Sequence, residues 1–354
     1  MVTPGVIKID SHDPDMVRIR GVANACKEGK LIAFPTETVY GIGGKMSAPE
    51  IEKRLREIKG RSDTKPFSYH IGDWTMLGML KVKKTPLVRT MARQFWPGPV
   101  TLVVLDEAGQ KIGIRFPKSR IAIALFQEIG EPLIATSANA SGKPSPHTAQ
   151  HVIEQLSGAY DLLVDGGKTE FMLDSTVVDV TGEVPLILRK GAQGAEVERA
   201  VEKMKAGKCP SKRVLVVCTG NSCRSPMGEG WLKHEIERRG LSSEIEVVSC
   251  GTSSRDGLPC TPEAEFVMRN REIDLSKFRS RLCRTGDLWS SDLILAMAAQ
   301  HAEEIARMLP EVKDRTITLD VEDPIGMGMK VYEKTLSDIE TKMKQQMNKI
   351  IQLD

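Results

Sequence analysis

The chain has 354 residues, of which 40% are hydrophobic and 27% are charged; this composition is ordinary for a globular protein, and the length favours two domains. A formal charge of +3 is too small to indicate nucleic-acid binding through a bulk field, and no apolar run approaches the ~20 residues needed to span a bilayer. The first residues lack a secretion-signal pattern and the seven cysteines are scattered without zinc-ligand spacing, so we expect a cytoplasmic protein with no membrane contact and no metal site.

Strand-like and helix-like patterns are mixed over the first 205 residues. Apolar runs bounded by turn residues predict strands, and amphipathic runs predict helices. The predicted strands are 31–34, 100–105, 132–136 and 177–180, and the predicted helices include 49–59 and 121–129. This mixture predicts an α/β or α+β domain at residues 1–205, built on a sizeable sheet.

Hydroxyl, basic and amide side chains cluster at the ends of these strands. Each alone is typical of a protein surface, but together they form a candidate binding site. The stretch GIGGK at 41–45 is not the phosphate loop GxxxxGK[ST]. The residues of this candidate site are Thr36, Thr38, Lys59, Arg61, Lys65, His70, Arg115, Ser137, Asn139, Ser145, Ser175 and Arg189.

Four motifs in this half resemble the threonylcarbamoyl-AMP synthases, which have YrdC-like domains. They are PTET at 35–38, WPGP at 96–99, Lys59-x-Arg61 and Ser137-x-Asn139, within a resemblance that covers about residues 7–200. The resemblance implies a twisted mixed sheet with helices. It also implies that ATP, L-threonine and bicarbonate are converted into threonylcarbamoyl-AMP and pyrophosphate for the modification of tRNA. The tRNA would be reached indirectly, through downstream enzymes, and double-stranded RNA binding belongs to the same expectation.

Residue roles follow from that resemblance. The reaction brings several anions together, so concentrated positive charge is required, and Mg²⁺ is expected on the phosphates of ATP. Ser137 and Asn139 would hold the nucleotide. The contacts to threonine and carbonate would come from Thr36, Thr38, Ser175 and His70, although His70 fits a packed strand histidine equally well. The positive charge would come from Lys59, Arg61, Lys65, Arg115 and Arg189.

Residues 206–212 form a predicted linker, and the remaining residues, 213–354, form a second domain. The linker is basic, contains Gly207 and Pro210, and has no apolar periodicity. Predicted strands at 214–217, 246–249, 293–296 and 316–319 alternate with helical patterns, which predicts a Rossmann-like, four-stranded parallel sheet flanked by helices. A stripe in the last helix predicts core packing, with a partner-binding face as the alternative: Leu336, Ile339, Met343, Met347 and Ile350.

The stretch VLVVCTGNSCRS at 214–225 predicts a phosphate-binding loop that contains a nucleophile. Cys218 ends a buried strand, and the loop amides and following helix N-terminus favour its thiolate. Arg224 offers a fork of donors that fits two phosphate oxygens. Gly220 is expected to take a positive φ, and Asn221 tolerates one. The loop between nucleophile and arginine is formed by Thr219, Gly220, Asn221, Ser222 and Cys223.

This motif resembles the low-molecular-weight protein-tyrosine-phosphatase superfamily, and the resemblance covers nearly all of this half. It implies a cysteinyl-phosphate mechanism that needs no cofactor. Cys218 attacks phosphorus, Arg224 and the loop bind its oxygens, and Ser225 hydrogen-bonds the thiolate. Asp323, in the sequence VEDP at 321–324, protonates the leaving atom. Cys223 is either a small loop residue or a partner for a reversible disulfide with Cys218.

The resemblance also implies that the substrate of this half is a phosphoprotein, whose phosphorylated residue is either phosphoarginine or phosphotyrosine. Ser222 in the loop and Ile325 after Asp323-Pro324 provide no aromatic wall for a phenyl ring, which resembles the arginine-phosphatase pattern more closely. Arsenate reduction is an alternative, but the cysteine pair that such enzymes need is missing from 298–305.

Two hypotheses for the whole chain follow. In the first, it is a bifunctional enzyme that combines threonylcarbamoyl-AMP synthesis with a cysteine-dependent phosphatase. In the second, the N-terminal half is a nucleotide- or RNA-binding module that targets the phosphatase. Pyrophosphate formation that depends on threonine and bicarbonate separates them.

Overall fold

The structure is a computed structural model, which describes residues 5–60, 66–156 and 158–353. It divides into two compact units, Met1–Glu202 and Lys203–Asp354, called here the first and the second unit. The predicted site residues Arg61 and Lys65 lie outside the described residues. Within the described ranges, no helix is long and apolar enough to cross a membrane.

A mixed ten-stranded sheet forms the centre of the first unit. Its strands are β1 (Gly5–Lys8), β2 (Ile32–Pro35), β3 (Tyr40–Lys45), β4 (Ser68–His70), β5 (Val100–Leu105), β6 (Lys111–Arg115), β7 (Leu133–Ser137), β8 (Leu162–Asp165), β9 (Thr176–Asp179) and β10 (Leu186–Arg189). Their order across the sheet is β1-β8-β2-β3-β7-β4-β6-β5-β9-β10. Both parallel pairs, such as β5 with β9, and antiparallel pairs, such as β3 with β7, occur. The predicted mixed sheet is therefore confirmed.

Helices cover both faces of this sheet. They are α1 (Met16–Lys27), α2 (Pro49–Lys59), α3 (Met76–Met79), α4 (Pro86–Phe95), α5 (Arg120–Ile129), α6 (Ala149–Leu156) and α7 (Gly194–Lys205). Apolar residues of α1 and α5 pack with Ile32 and Phe34, whereas those of α2 and α6 pack with Leu31 and Ala33. Because successive strand residues point to opposite faces, the single run at 31–34 supplies both cores.

Strand β3 is a part of the sheet that the sequence prediction missed. Its glycines allow close approach rather than a turn: a Cβ on Gly43 would lie 2.4 Å from the carbonyl oxygen of Ile134 in β7, and one on Gly41 would lie 2.8 Å from the ring of Phe34. Glycine normally weakens a strand prediction, except where another group must come close. The GIGGK stretch is thus a buried strand and not a phosphate loop.

The second unit is built on a four-stranded, wholly parallel sheet in the order β12-β11-β13-β14. Its elements are β11 (Lys212–Cys218), α8 (Arg224–Arg238), β12 (Ile245–Gly251), α9 (Pro262–Arg269), α10 (Thr285–Trp289), β13 (Leu293–Ala296), α11 (Ala299–Met308), a 3-10 helix (Pro310–Arg315), β14 (Thr316–Thr318) and α12 (Met329–Ile351). The predicted parallel sheet with flanking helices is confirmed. The crossovers place the end of β11 next to the start of α8.

The apolar stripe of α12 faces the core. Leu336, Ile339, Met343, Met347 and Ile350 are all buried, and they belong to one cluster with residues of α8, α9 and β11. The prediction of core packing is therefore confirmed over that of a partner-binding face. Since α12 packs against α8, it supports the helix that begins at the candidate phosphate loop.

Candidate active sites

A cavity of about 490 Å³ opens over the sheet of the first unit. Its walls come from strands that are far apart in sequence but neighbours in the sheet, together with the loops that follow them. A volume of this size is in the range of small-molecule sites. Six of the predicted residues line it: Thr36, His70, Arg115, Ser137, Ser175 and Arg189.

A buried ion pair lies at one wall of this cavity. Arg115 Nη2 is 3.0 Å from Glu37 Oε1, with the two side chains 5% and 2% exposed, and the same nitrogen donates to Thr36 Oγ1 at 3.3 Å. Glu37 has no role predicted from the sequence, although it lies between the two predicted threonines of the PTET motif. The carboxylate fixes Arg115 in place, and a guanidinium held in this way is ready to receive an anion.

A second arginine, Arg189, also lines this cavity. Arg189 donates through Nη2 to Ser175 O at 2.9 Å and to Ser175 Oγ at 3.1 Å, and Ser175 Oγ lies 2.9 Å from Thr101 Oγ1. Asp174 is near this group; it accepts from Ser145 Oγ at 2.8 Å and pairs loosely with Arg189. Ser145 does not itself line the cavity, but it contacts Asp174, which does.

Lys59 is buried at the end of α2 and reaches toward the loop after β7. Its Nζ donates to Asn139 Oδ1 at 2.6 Å and to Asn139 O at 2.7 Å, and it lies 3.4 Å from Ser137 Oγ. Ser137 Oγ in turn donates to Asn139 Oδ1 at 2.6 Å. The structure thus brings together the described members of the two spaced motifs. Thr38, by contrast, is buried behind the wall, with Oγ1 3.0 Å from Thr36 Oγ1.

His70 both packs in the core and lines the cavity, the two roles that the sequence left open. It lies on β4 opposite Arg115 of β6, packs edge-on against Phe34 and Phe126, and also lines the cavity. Its Nδ1 is buried and has no hydrogen-bond partner among the described residues. Burial, with a smaller effect from Arg115, lowers the pKa of His70 to about 3. The imidazole is therefore neutral near pH 7.

The pH dependence of stability provides a test of this burial. Because the pKa of His70 is lower in the folded than in the unfolded chain, the unfolded chain binds more protons between about pH 3 and 6.5. The free energy of unfolding of the first unit should fall with decreasing pH in that window, by roughly 3 kcal/mol between pH 6.5 and 4. Hydrogen exchange of β4 and β6 amides should show this slope in the wild type and a flatter slope in His70→Gln.

The exposed His12 of the same unit is the matched control. His12→Gln should keep the wild-type slope, since no buried imidazole is removed. Equal slopes in the wild type and in His70→Gln would contradict a buried, neutral His70.

In the second unit, the loop after β11 surrounds the sulfur of Cys218. Asn221 N donates to Cys218 Sγ at 3.3 Å, and Ser225 Oγ, at the start of α8, lies 2.9 Å from it. The predicted positive φ at Gly220 is wrong: Asn221 adopts it, with φ 50°, and Gly220 does not. Asn221 can do so because its side chain is held by three hydrogen bonds, to Ser225, Ser249 and the backbone of Arg281.

Arg224 connects this loop to the predicted acid. Its guanidinium is buried, contacts Asp323 Oδ2 directly through Nη2, and donates through Nη1 to Val321 O at 3.2 Å. Asp323 is 42% exposed, so a substrate can reach it, whereas Glu322 is 87% exposed. The arrangement places a carboxyl group beside the arginine at the rim of the loop.

Two further contacts hold the loop. His301 lies at the start of α11. Its Nε2 is 2.8 Å from Thr219 Oγ1, and its Nδ1 accepts from Ala298 N at 3.0 Å. Burial, and then Arg224, lower the pKa of His301. Cys223 Sγ lies 3.3 Å from the hydroxyl of Tyr332, and both Cys223 and Cys218 are thiols. Ser222 is the loop member that follows Asn221.

Comparison with known protein families assigns a match to each unit. The family model Sua5_yciO_yrdC, described as telomere recombination, matches residues 24–191. The model of the low molecular weight phosphotyrosine protein phosphatases matches residues 213–353. The two matches fall on opposite sides of the boundary between Glu202 and Lys203.

Relatives of the first unit are synthases. A threonylcarbamoyl-AMP synthase from Pyrococcus abyssi is 37% identical over 198 residues, 53% of this chain and 58% of that protein, so the chain spans 58% of this relative's length. A Mycobacterium tuberculosis protein provisionally named as a threonylcarbamoyl-AMP synthase is 35% identical, over 53% of this chain and 91% of that protein. The crystal structure of P. abyssi Sua5 complexed with L-threonine matches with a TM-score of 0.52 and 26% identity, over 88% of this chain and 99% of that chain.

The second unit has a phosphatase relative. The protein-arginine-phosphatase of Bacillus subtilis is 35% identical over 142 residues, which cover 37% of this chain and 92% of that protein. The similarity therefore spans almost the whole relative, and the family match at 213–353 includes the loop, the arginine and the downstream aspartate described above.

Proposed function

The chain belongs, through its first unit, to the Sua5/YrdC family of threonylcarbamoyl-AMP synthases and, through its second unit, to the low molecular weight phosphotyrosine protein phosphatases, and on this premise we propose that it is a bifunctional enzyme. The first unit joins ATP, L-threonine and bicarbonate into threonylcarbamoyl-AMP and pyrophosphate. The second unit removes phosphate from phosphoproteins. Each reaction uses its own site.

The synthase proposal depends on the convergence of two fixed arginines on one cavity. Arg115 is held by Glu37 and Arg189 by Ser175, so both guanidinium groups stand ready for the carboxylate and the phosphates before substrate enters. Preorganised positive charge of this kind stabilises the charge that develops on the α-phosphate during attack by the carbamate. The neutral His70 can exchange a hydrogen bond with threonine or carbonate without adding charge.

Mg²⁺ would arrive as part of the ATP substrate. Two aspartates line the cavity, and they are already engaged, Asp174 with Ser145 and Asp179 with Lys111. This donor set fits an ion held mainly by phosphates and water, with at most one protein carboxylate. When bound, the ion would neutralise charge on the phosphates.

Substitution of Lys59 tests the synthase. Lys59→Ala should lower threonylcarbamoyl-AMP formation by about 10²–10³-fold, because the ammonium group that links Ser137 and Asn139 is lost from a buried position. Incorporation of radiolabelled threonine and bicarbonate with ATP, and pyrophosphate release, measure the effect. Lys53→Ala, on the exposed side of the same helix, is the matched control and should keep full activity.

An absence of product from folded, ATP-binding wild-type protein would contradict the synthase. It would instead favour the second hypothesis, in which the first unit is a nucleotide- or RNA-binding module, including one for double-stranded RNA. In the proposal itself, tRNA is a distant partner, since the adenylate passes to downstream enzymes.

The phosphatase proposal depends on the Cys218–Arg224–Asp323 constellation. The Cys218 thiolate attacks phosphorus, the bond from phosphorus to the leaving nitrogen or oxygen breaks, and Asp323 gives that atom its proton. Water then attacks the cysteinyl phosphate, passes a proton to Asp323, and the sulfur–phosphorus bond breaks to restore the thiolate. The donors of Arg224 and the loop amides hold the phosphoryl oxygens through both steps.

We favour phosphoarginine over phosphotyrosine as the phosphorylated residue. Ser222 contributes a small polar side chain to the loop, and the segment after Asp323-Pro324 has no aromatic residue before Tyr332. Tyr332 is buried, with its hydroxyl on Cys223, and so does not build a wall for a phenyl ring. Arsenate reduction is less well supported because 298–305 contains no cysteine. A thiolate catalyst fits a reducing compartment such as the cytoplasm.

A further inference from the structure

A chain of hydrogen bonds leads from the nucleophile to a carboxylate on the far side of the loop. Ser225 Oγ is 2.9 Å from Cys218 Sγ and 2.8 Å from Asn221 Nδ2. Asn221 Nδ2 also donates to Ser249 Oγ at 2.8 Å, and Ser249 Oγ donates to Glu229 Oε2 at 2.5 Å. The three middle residues are almost completely buried, and Glu229 is 13% exposed.

The direction of each bond follows from counting protons. Asn221 Oδ1 accepts from Arg281 N at 2.8 Å, so the side-chain amide must present its NH₂ group, which has two protons, to Ser225 and Ser249. A serine hydroxyl has one proton. Having accepted from Asn221, Ser225 directs its own proton at the sulfur of Cys218, and a hydrogen bond of this direction favours the thiolate.

The remaining proton of the chain is that of Ser249, and Glu229 fixes where it goes. An ionised carboxylate only accepts hydrogen bonds, and the other oxygen of Glu229 contacts Lys233 Nζ directly. Ser249 therefore turns its proton to Glu229 and its lone pairs to Asn221. Without this acceptor, the Ser249 hydroxyl can point its proton at the side chain of Asn221. That arrangement disfavours the amide orientation in which Asn221 donates to Ser225 and Ser225 donates to Cys218.

We propose that Glu229 is a positioning residue for the second unit's reaction: it acts through Ser249, Asn221 and Ser225 to keep a hydrogen bond pointed at the Cys218 thiolate. The inference extends the proposed phosphatase function. Direct repulsion between the Glu229 carboxylate and the Cys218 thiolate would disfavour the thiolate, and the proposal predicts the opposite effect. The hydrogen-bond chain makes Glu229 favour the thiolate.

Alkylation of Cys218 by iodoacetamide measures the thiolate without requiring phosphatase turnover. The tryptic peptide 214–224 contains both Cys218 and Cys223, and its fragment ions separate the two sites. Glu229→Met, which fills a similar volume without an acceptor, should slow alkylation of Cys218 at neutral pH by about tenfold, and its pH–rate profile should move to higher pH. Glu229→Gln, whose oxygen can still accept from Ser249, should restore most of the rate.

A double-mutant cycle tests the route. If Glu229 acts through Ser249, then Glu229→Met combined with Ser249→Ala should react no more slowly than Ser249→Ala alone. Glu237→Met is the matched control, since Glu237 is exposed two turns further along α8 and lines the same cavity of about 660 Å³ as Glu229. It should leave alkylation unchanged.

The other charged groups stay constant through this series. Near the sulfur, the charged groups are Arg224, with Asp323 against it, and His301 through Thr219. Near Glu229, they are Lys233, Arg281 and Glu246.

Faster alkylation in folded Glu229→Met would overturn the proposal in favour of simple repulsion. Unchanged alkylation, or additive effects in the double mutant, would also overturn it. A protein that alkylates as expected but releases no phosphate would instead contradict the phosphatase assignment alone.

Discussion

Serine in place of Cys218 should reduce phosphate release by about 10⁴-fold or more and leave threonylcarbamoyl-AMP formation at the wild-type rate. The sulfur lies at the bottom of the loop, where Asn221 N and Ser225 Oγ point at it. A serine hydroxyl there stays protonated at neutral pH and is a weak nucleophile. Release of phosphate from phosphoarginine and phosphotyrosine peptides, with both reactions measured on one preparation, gives the result.

Cys209→Ser is the control for this substitution, because Cys209 is a half-buried thiol outside the loop and its loss should change neither activity. Residual turnover of more than a few per cent in Cys218→Ser would remove Cys218 as the nucleophile. Loss of both activities in a folded protein would contradict the independence of the two sites.

Asp323→Asn should lower phosphatase turnover by about 10²–10⁴-fold on substrates whose leaving atom needs a proton. The amide keeps the shape of the carboxyl group and its place beside Arg224 but has no acidic proton to give. The loss should be much smaller with p-nitrophenyl phosphate, whose leaving group is stable as an anion. Initial rates on the two kinds of substrate measure the difference.

The adjacent Glu322 provides the comparison. Glu322→Gln removes the same charge from a side chain that is 87% exposed, so it should leave both rates within about twofold. Equal losses on good and poor leaving groups in Asp323→Asn would mean that Asp323 orients Arg224 electrostatically and does not transfer the proton.

The parts of the fold that sequence predicted best are those where one pattern dominates locally. Helix α2 and strands β5 and β13 have the predicted bounds, because amphipathic or continuous apolar runs leave little choice. Strand β3 was not predicted, because its glycines are required by the close approach of residues that the local pattern does not include, such as Ile134 and Phe34. Strand β4 has three residues, too few for a periodic signal.

Within the candidate sites, sequence predicted the residue types that converge but not their partners. It placed Arg115 in a cationic cleft and overlooked Glu37, since a buried ion pair depends on which strands meet across the sheet. It assigned the positive φ to Gly220 when Asn221 adopts it. The reason is again tertiary: Arg281, sixty positions later, supplies the hydrogen bond that holds the asparagine.

The distance in sequence between Arg224 and Asp323 has a consequence for the protein during synthesis. The two residues are 99 positions apart, which a ribosome covers in about 5–20 s. The first unit ends at Glu202, so its whole sequence has been translated before that of the second unit begins. The nascent second unit, however, exposes its thiol well before it has an acid, a final strand or the helix that supports the loop. Translation thus completes the sequence of the first unit's site before that of the second unit's site, to which Asp323 is added last.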